Sequence, residues 1–171
     1  MKKIILSTIC ILVLGFIFHS VYNLIPNFIT SIFFPVNESI WEHGKMIILS
    51  FLVLTIIEKI LLKNEASGIN NNFLTAVICT ILTYIIFSFV YFFILKTNDN
   101  LPITILIYTI CIIISLIIRE KKLNKNKIIN LEYFGILGFI IVFIAYGLLT
   151  YNPIKTPIFY DYHKNCYGIP D

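Results

Sequence analysis

At 171 residues the chain fits one domain, but 58% hydrophobic against 13% charged content departs from a soluble domain of that size, where about a quarter of residues are charged. The surplus has to face lipid. The net charge of +4 is accounted for by lysines and one arginine flanking membrane segments, so no nucleic acid is expected as a partner.

The first apolar run covers residues 4–25 behind Lys2 and Lys3. It has the look of a secretory signal peptide, but no small-x-small cleavage site follows, and Ser-Thr-Ile ahead of Cys10 is not a lipoprotein signal. It is read as the first spanning helix, with His19, Tyr22 and Asn23 near its far end. Residues 26–35 are apolar and aromatic but too short to cross, and Pro26 and Pro35 bracket them. An interfacial or re-entrant segment is expected there.

The stretch Pro-Val-Asn-Glu-Ser-Ile-Trp-Glu-His-Gly-Lys at 35–45 is the densest cluster of polar groups and opens the second span. Because 46–62 alone is short of the roughly 20 residues needed to cross, the helix is placed at 38–62. Ser39-x-x-Glu42 is a capping-box pattern. At 100° per residue Glu38 and Glu42 lie about 40° apart with Trp41 and Lys45 flanking, while Ser39, His43 and Ser50 form a separate stripe about 100° from Glu42. Glu58 sits one to two turns from the far end of this helix beside Lys59, within reach of the interface.

An Asn- and Gly-rich stretch at 66–72 reads as a polar turn. The third span, 73–95, ends in Tyr91, Phe92 and Phe93, an aromatic belt. The fourth covers 101–118 and the fifth 133–151; none alternates strictly, so an all-α polytopic transmembrane helix bundle is expected rather than a barrel. Small residues such as Ala76, Thr80, Gly135 and Gly138 suit close helix contacts, including those of a homo-oligomer. The tail at 152–171 has prolines and aromatics but no span, and is expected to pack over the start of the second helix, bringing Asp161 to the same cluster.

Positive residues are retained on the cytoplasmic side. With the N-terminus inside, nine of the thirteen lie on inner segments (Lys2, Lys3, Lys59, Lys63, Arg119, Lys121, Lys122, Lys125, Lys127), against Lys45, Lys96, Lys155 and Lys164 outside. The motif, all three histidines and the tail are then extracytoplasmic. Of four cysteines, Cys10, Cys79 and Cys111 fall within spans and only Cys166 in the tail, so no disulfide framework is expected.

No His-Glu-x-x-His spacing is present, and adjacent Glu42 and His43 point apart. A metal would need Glu38 with Glu42, or His43 with groups from another element such as His19. The candidate ligand-binding residues are His19, Tyr22, Asn37, Glu38, Trp41, Glu42, His43, Lys45 and Asp161; Glu42 and His43 are also the acid/base candidates. His163 and Cys166 make a further, sparser metal pair.

The leading expectation is an outward-facing polar site for a cation or small polar ligand, related to binding or transport. The alternatives are a membrane-embedded hydrolase or transferase using a Glu/His pair on a lipid or envelope substrate, with Ser39 or Ser50 as nucleophile, and an accessory subunit docking a membrane partner. Whether the chain is an enzyme stays open, and no cofactor is named by any motif. The partner that composition does demand is the lipid bilayer.

The 35–45 segment resembles the hallmark of a family of small bacterial integral membrane proteins known only as a domain of unknown function: Pro-Val-Asn-Glu-Ser-x-Trp-Glu-His-x-Lys. The resemblance extends to His19-x-x-Tyr22, to Pro157-x-Phe159-x-Asp161 and to Tyr167-Gly168-Ile169. It departs at Gly44, where a larger apolar residue is expected, and at 162–166, where relatives look to have a Pro and Gly turn. The family implies a layout and no activity.

Overall fold

A computed structural model describes residues 2–61, 71–95, 101–123 and 131–170. Residues 66–70 of the expected polar turn and the cationic stretch beyond Leu123 lie outside them. Among the described residues five helices are long and apolar enough to cross a membrane. They are α1 (Lys2–Leu24), α3 (Ile40–Leu61), α4 (Asn72–Ser88), α5 (Leu101–Ile118) and α6 (Glu132–Tyr151). The protein is a polytopic helix bundle of the transmembrane type. Between α1 and α3 the short α2 (Phe28–Phe33) interrupts the segment bracketed by prolines.

Helices α1, α3, α4 and α5 close a four-membered ring, each touching the next, and α6 fills the groove between α3 and α4. The pattern is inverted relative to a soluble bundle. Ile81, Ile85, Ile140, Ile141 and Ile144 face outward, while α4 buries Thr75, Ala76, Cys79, Thr80 and Thr83. Lipid is as apolar as leucine, so small residues that permit close approach line the contacts. The threonine hydroxyls satisfy themselves: Thr75, Thr80 and Thr83 each donate to the carbonyl four residues back. Gly135 is spent inside the bundle, since a Cβ there would stand 2.8 Å from the Leu74 nitrogen.

The helix ends follow local chemistry. Asn27 and Thr30 form a reciprocal capping box that starts α2. Both α4 and α5 run on as π-helical turns, Phe89–Leu95 and Arg119–Leu123, which rotate the last side chains relative to an α-helical continuation. This turns Tyr91 inward. It is 2% exposed and its hydroxyl meets Thr104 at 2.5 Å, so it is not part of an aromatic belt.

After α6 the tail forms a 3₁₀ turn (Pro157–Phe159) and a small hairpin of β1 (Tyr160–Asp161) and β2 (Cys166–Tyr167), with Asp161 opposite Cys166. Asn165 takes φ 50° in its turn, the left-handed position that asparagine tolerates almost as glycine does. That explains how the 162–166 segment turns without a Pro and Gly pair.

Candidate functional site

The motif folds as a turn followed by a helix start. Asn37 Oδ1 accepts from the Ser39 N–H at 2.9 Å, and Ser39 Oγ accepts from the Glu42 N–H at 3.3 Å. Ser39 thereby caps α3, which begins at Ile40 rather than Glu38. Only half of the expected capping box forms, because the Glu42 carboxylate does not return to Ser39. Glu38 is left outside the helix, and its side chain is free to turn away from Glu42.

It turns to the histidines. His19 Nε2 lies 3.1 Å and His43 Nε2 3.4 Å from Glu38 Oε2, and the two rings pack at 5.4 Å. These three side chains, from α1, the motif turn and α3, offer donor atoms within 4.8 Å of one another. Hydrogen bonds, first from His19 and then from His43, hold the Glu38 carboxyl well below the usual carboxylate range, so it is ionised. The other nitrogen of His43 is 2.7 Å from the Ser39 carbonyl oxygen. A carbonyl only accepts, so Nδ1 carries the proton. Nε2 of the same ring is the atom that faces the anionic Glu38 oxygen.

Below this cluster lies a cavity of about 310 Å³ inside the four-helix ring. His19, Glu38, His43, Tyr162 and His163 line its polar end, and Ile11, Leu12, Ile47, Phe87 and Ile112 its apolar walls. Tyr162 and His163 come from the tail hairpin. Ser50, two turns below His43 on the same stripe, also lines it, buried and with no hydrogen-bond partner for its hydroxyl.

Glu42 and Lys45 belong to a different centre on the other side of α3. Lys45 Nζ is 2.6 Å from Glu42 Oε2 and donates to the carbonyls of Ser31 and Phe34 and to Thr150 Oγ1. Glu42 also accepts from Thr150 Oγ1 at 2.7 Å and from the Val36 N–H at 3.2 Å. Both are about 2% exposed. The pair pins α2 and the motif turn onto α3 and α6. Between them, Trp41 stacks on Tyr84 and Phe159, and the Tyr84 and Tyr146 hydroxyls meet at 2.6 Å over Gly44. A Cβ at Gly44 would stand 1.9 Å from the Tyr146 hydroxyl, which is why no larger residue is present here.

The tail closes the site from above. Asn37 Nδ2 donates to the Gly168 carbonyl at 2.6 Å, and Asp161 accepts from the N–H groups of Glu38, His163 and Lys164. Asp161 thus positions Glu38 through its backbone without joining the carboxylate–histidine cluster. Tyr22 sits one turn beyond His19 and does not line the cavity. Cys166 is not part of the cluster either.

A family model of unknown function, DUF6512, matches residues 1–169. The chain belongs to this family. No curated protein and no solved structure matches, so DUF6512 membership brings no activity with it and the chemistry has to come from the side chains.

Sequence reasoning about this DUF6512 chain missed one polar centre, at the opposite end of the bundle. Glu58 is turned into the bundle. It is 6% exposed and accepts from Ser7 Oγ at 3.3 Å, Asn72 Nδ2 at 2.8 Å and Arg119 Nη1 at 3.4 Å. Arg119 is fully buried, and it bonds Asn72 and Glu120 as well. The π-helical continuation of α5 places Arg119 here, whereas an interfacial anchor was expected. The only signal in the sequence was an acid and a base at matching depth in two spans.

Proposed function

We propose that the protein is a multi-pass membrane protein that binds a divalent transition-metal cation between His19 Nε2, Glu38 Oε2 and His43 Nε2. The observation that carries this is the Nδ1–H of His43 donated to the Ser39 carbonyl. It is the backbone support that metal-bound histidines use to fix ring orientation, and it leaves Nε2 facing a carboxylate. A metal cation can take the place of a proton between the two.

Two of the three donor spacings agree with this, and the whole set lies within 4.8 Å. Ligands 2.0–2.1 Å from a tetrahedral zinc ion are about 3.3 Å apart, and the two histidine-to-carboxylate distances are 3.1 and 3.4 Å. Imidazole and carboxylate donors suit zinc and its neighbours more than calcium or magnesium. Three protein donors leave a coordination position open, and the cavity shared by the same residues is the route to it.

The positive-inside balance supports an extracytoplasmic site. Arg119 and Lys45 are neutralised in buried ion pairs, and leaving them out keeps eight positive residues on the N-terminal side against three on the motif side.

The test is a zinc titration of chelator-stripped, purified protein. One equivalent is expected in the wild type, with loss of binding in His19→Ala/His43→Ala at unchanged melting behaviour. Retained stoichiometric zinc in that double variant, or none in the wild type, refutes the reading. A second reading, a metal-dependent membrane hydrolase, draws on the same donor set, since two histidines and a carboxylate with one open position also make catalytic zinc sites. Zinc-dependent hydrolysis of an ester probe by the wild type that Glu38→Gln abolishes would favour it; binding without turnover would count against it.

A further inference from the structure

The cavity has the shape of an amphiphile in reverse. Its polar end is the His19–Glu38–His43 cluster, and its apolar part continues down α1 to Ile11, about 12 Å below His19 at 1.5 Å per residue. The volume, about 310 Å³, is at the lower end for small-ligand sites, about 300–1,000 Å³.

Its wall is open sideways. Phe16 of α1 and Leu101 of α5 both line the cavity, and yet they are 60% and 66% exposed on the outer surface of the bundle. Both belong to segments apolar enough to cross a membrane. Next to Phe16, Gly15 lines the cavity with nothing within 4 Å of where a Cβ would stand. The cavity is therefore bordered at the surface by apolar residues of two membrane-crossing segments, and not only by its polar end.

Ser50 adds a hydroxyl to the wall below His43. Ser50 Oγ is buried without a hydrogen-bond partner, about 10 Å along α3 from His43. A buried hydroxyl left unpaired is costly.

We propose that the cavity binds a single-chain membrane lipid that enters between α1 and α5. Its hydrocarbon chain lies against Ile11, Phe87 and Ile112 and an anionic oxygen head group takes the open position on the metal. This rests on the metal reading for the head group, since Glu38 would repel an anion without the cation. The chain half rests on the cavity alone.

The experiment uses full-length protein in lipid nanodiscs with a lysophosphatidic acid probe that carries a diazirine near the end of its acyl chain. Photolabelling is mapped by peptide mass spectrometry, and zinc is measured on the same samples. Labelling is expected on Phe87 or Ile112, and Gly15→Trp, which fills the gap, is expected to reduce it at least fivefold while zinc stoichiometry stays unchanged. If Gly15→Trp fails to fold, Gly15→Leu and competition by unlabelled lysophosphatidic acid give the same readout.

Labelling that Gly15 substitution leaves unchanged, or that falls on the outward residues of α6 instead, overturns the lipid site. Zinc bound without cavity labelling overturns the lipid site alone. Cavity labelling that Gly15→Trp blocks, in protein that binds no zinc, supports the chain site and refutes the metal reading.

Discussion

Glu42 and Lys45 give the sharpest test of which polar residues hold the bundle and which serve its site. In Glu42→Ala the Lys45 ammonium stays within the bundle, about 2% exposed, facing two carbonyls and a hydroxyl with no counter-charge. Removing one partner of a buried pair costs about 3–5 kcal/mol. Replacing both as Glu42→Leu/Lys45→Met removes the stranded charge and leaves the Ser31 and Phe34 carbonyls short of a donor, a cost of about 1–3 kcal/mol. The double variant should therefore be more stable than Glu42→Ala. Equilibrium unfolding in mixed detergent reads this directly through thiol labelling, because Cys79 and Cys111 are fully buried until the bundle opens. Zinc affinity of whatever fraction is folded should stay within about twofold of wild type, since Glu42 faces away from the cluster. A double variant as unstable as the two single variants summed, or a Glu42→Ala loss under about 1 kcal/mol, would refute the assignment of this pair to structure.

Three further outcomes are expected. Gly44→Ala should destabilise by about 1–3 kcal/mol through overpacking, and Tyr146→Phe in the same chain should recover part of it, because the nearest obstacle is the Tyr146 hydroxyl; detergent unfolding of both variants checks this. Glu58→Ala leaves the buried Arg119 with Glu120 as its remaining carboxylate and takes the acceptor from Ser7 and Asn72, so it should cost about 1–3 kcal/mol, whereas a surface-facing Glu58 would give almost no change in the same assay. Asp161→Ala removes the acceptor for three backbone N–H groups, so limited proteolysis should cut the tail hairpin faster and zinc affinity should fall about tenfold, the low end for loss of outer support at a metal site.

The span pattern was legible because lipid imposes length and apolarity on each helix. The sequence also marked the 35–45 motif as the place to look. What it obscured was the partner of each acid. Counting 100° per residue put Glu38 beside Glu42, and that rule applies only inside a helix. Once Ser39 caps α3, Glu38 lies outside the helix and reaches His19 instead. The same limit hid Glu58 and Arg119, which are separated by 61 residues and joined by a π-helical turn that periodicity does not reveal. The oxygens over Gly44 were unreadable for another reason. Tyr84 and Tyr146 each look like ordinary span aromatics, and only packing α4 and α6 against α3 brings their hydroxyls together.

The most direct measurement is zinc-edge X-ray absorption on the zinc-loaded protein. A centre built by His19, Glu38 and His43 gives two imidazole shells with nitrogen and oxygen donors at about 2.0–2.1 Å, and the imidazole signal falls by half in His19→Ala. A spectrum with sulfur in the first shell, or one unchanged by His19→Ala, would contradict it.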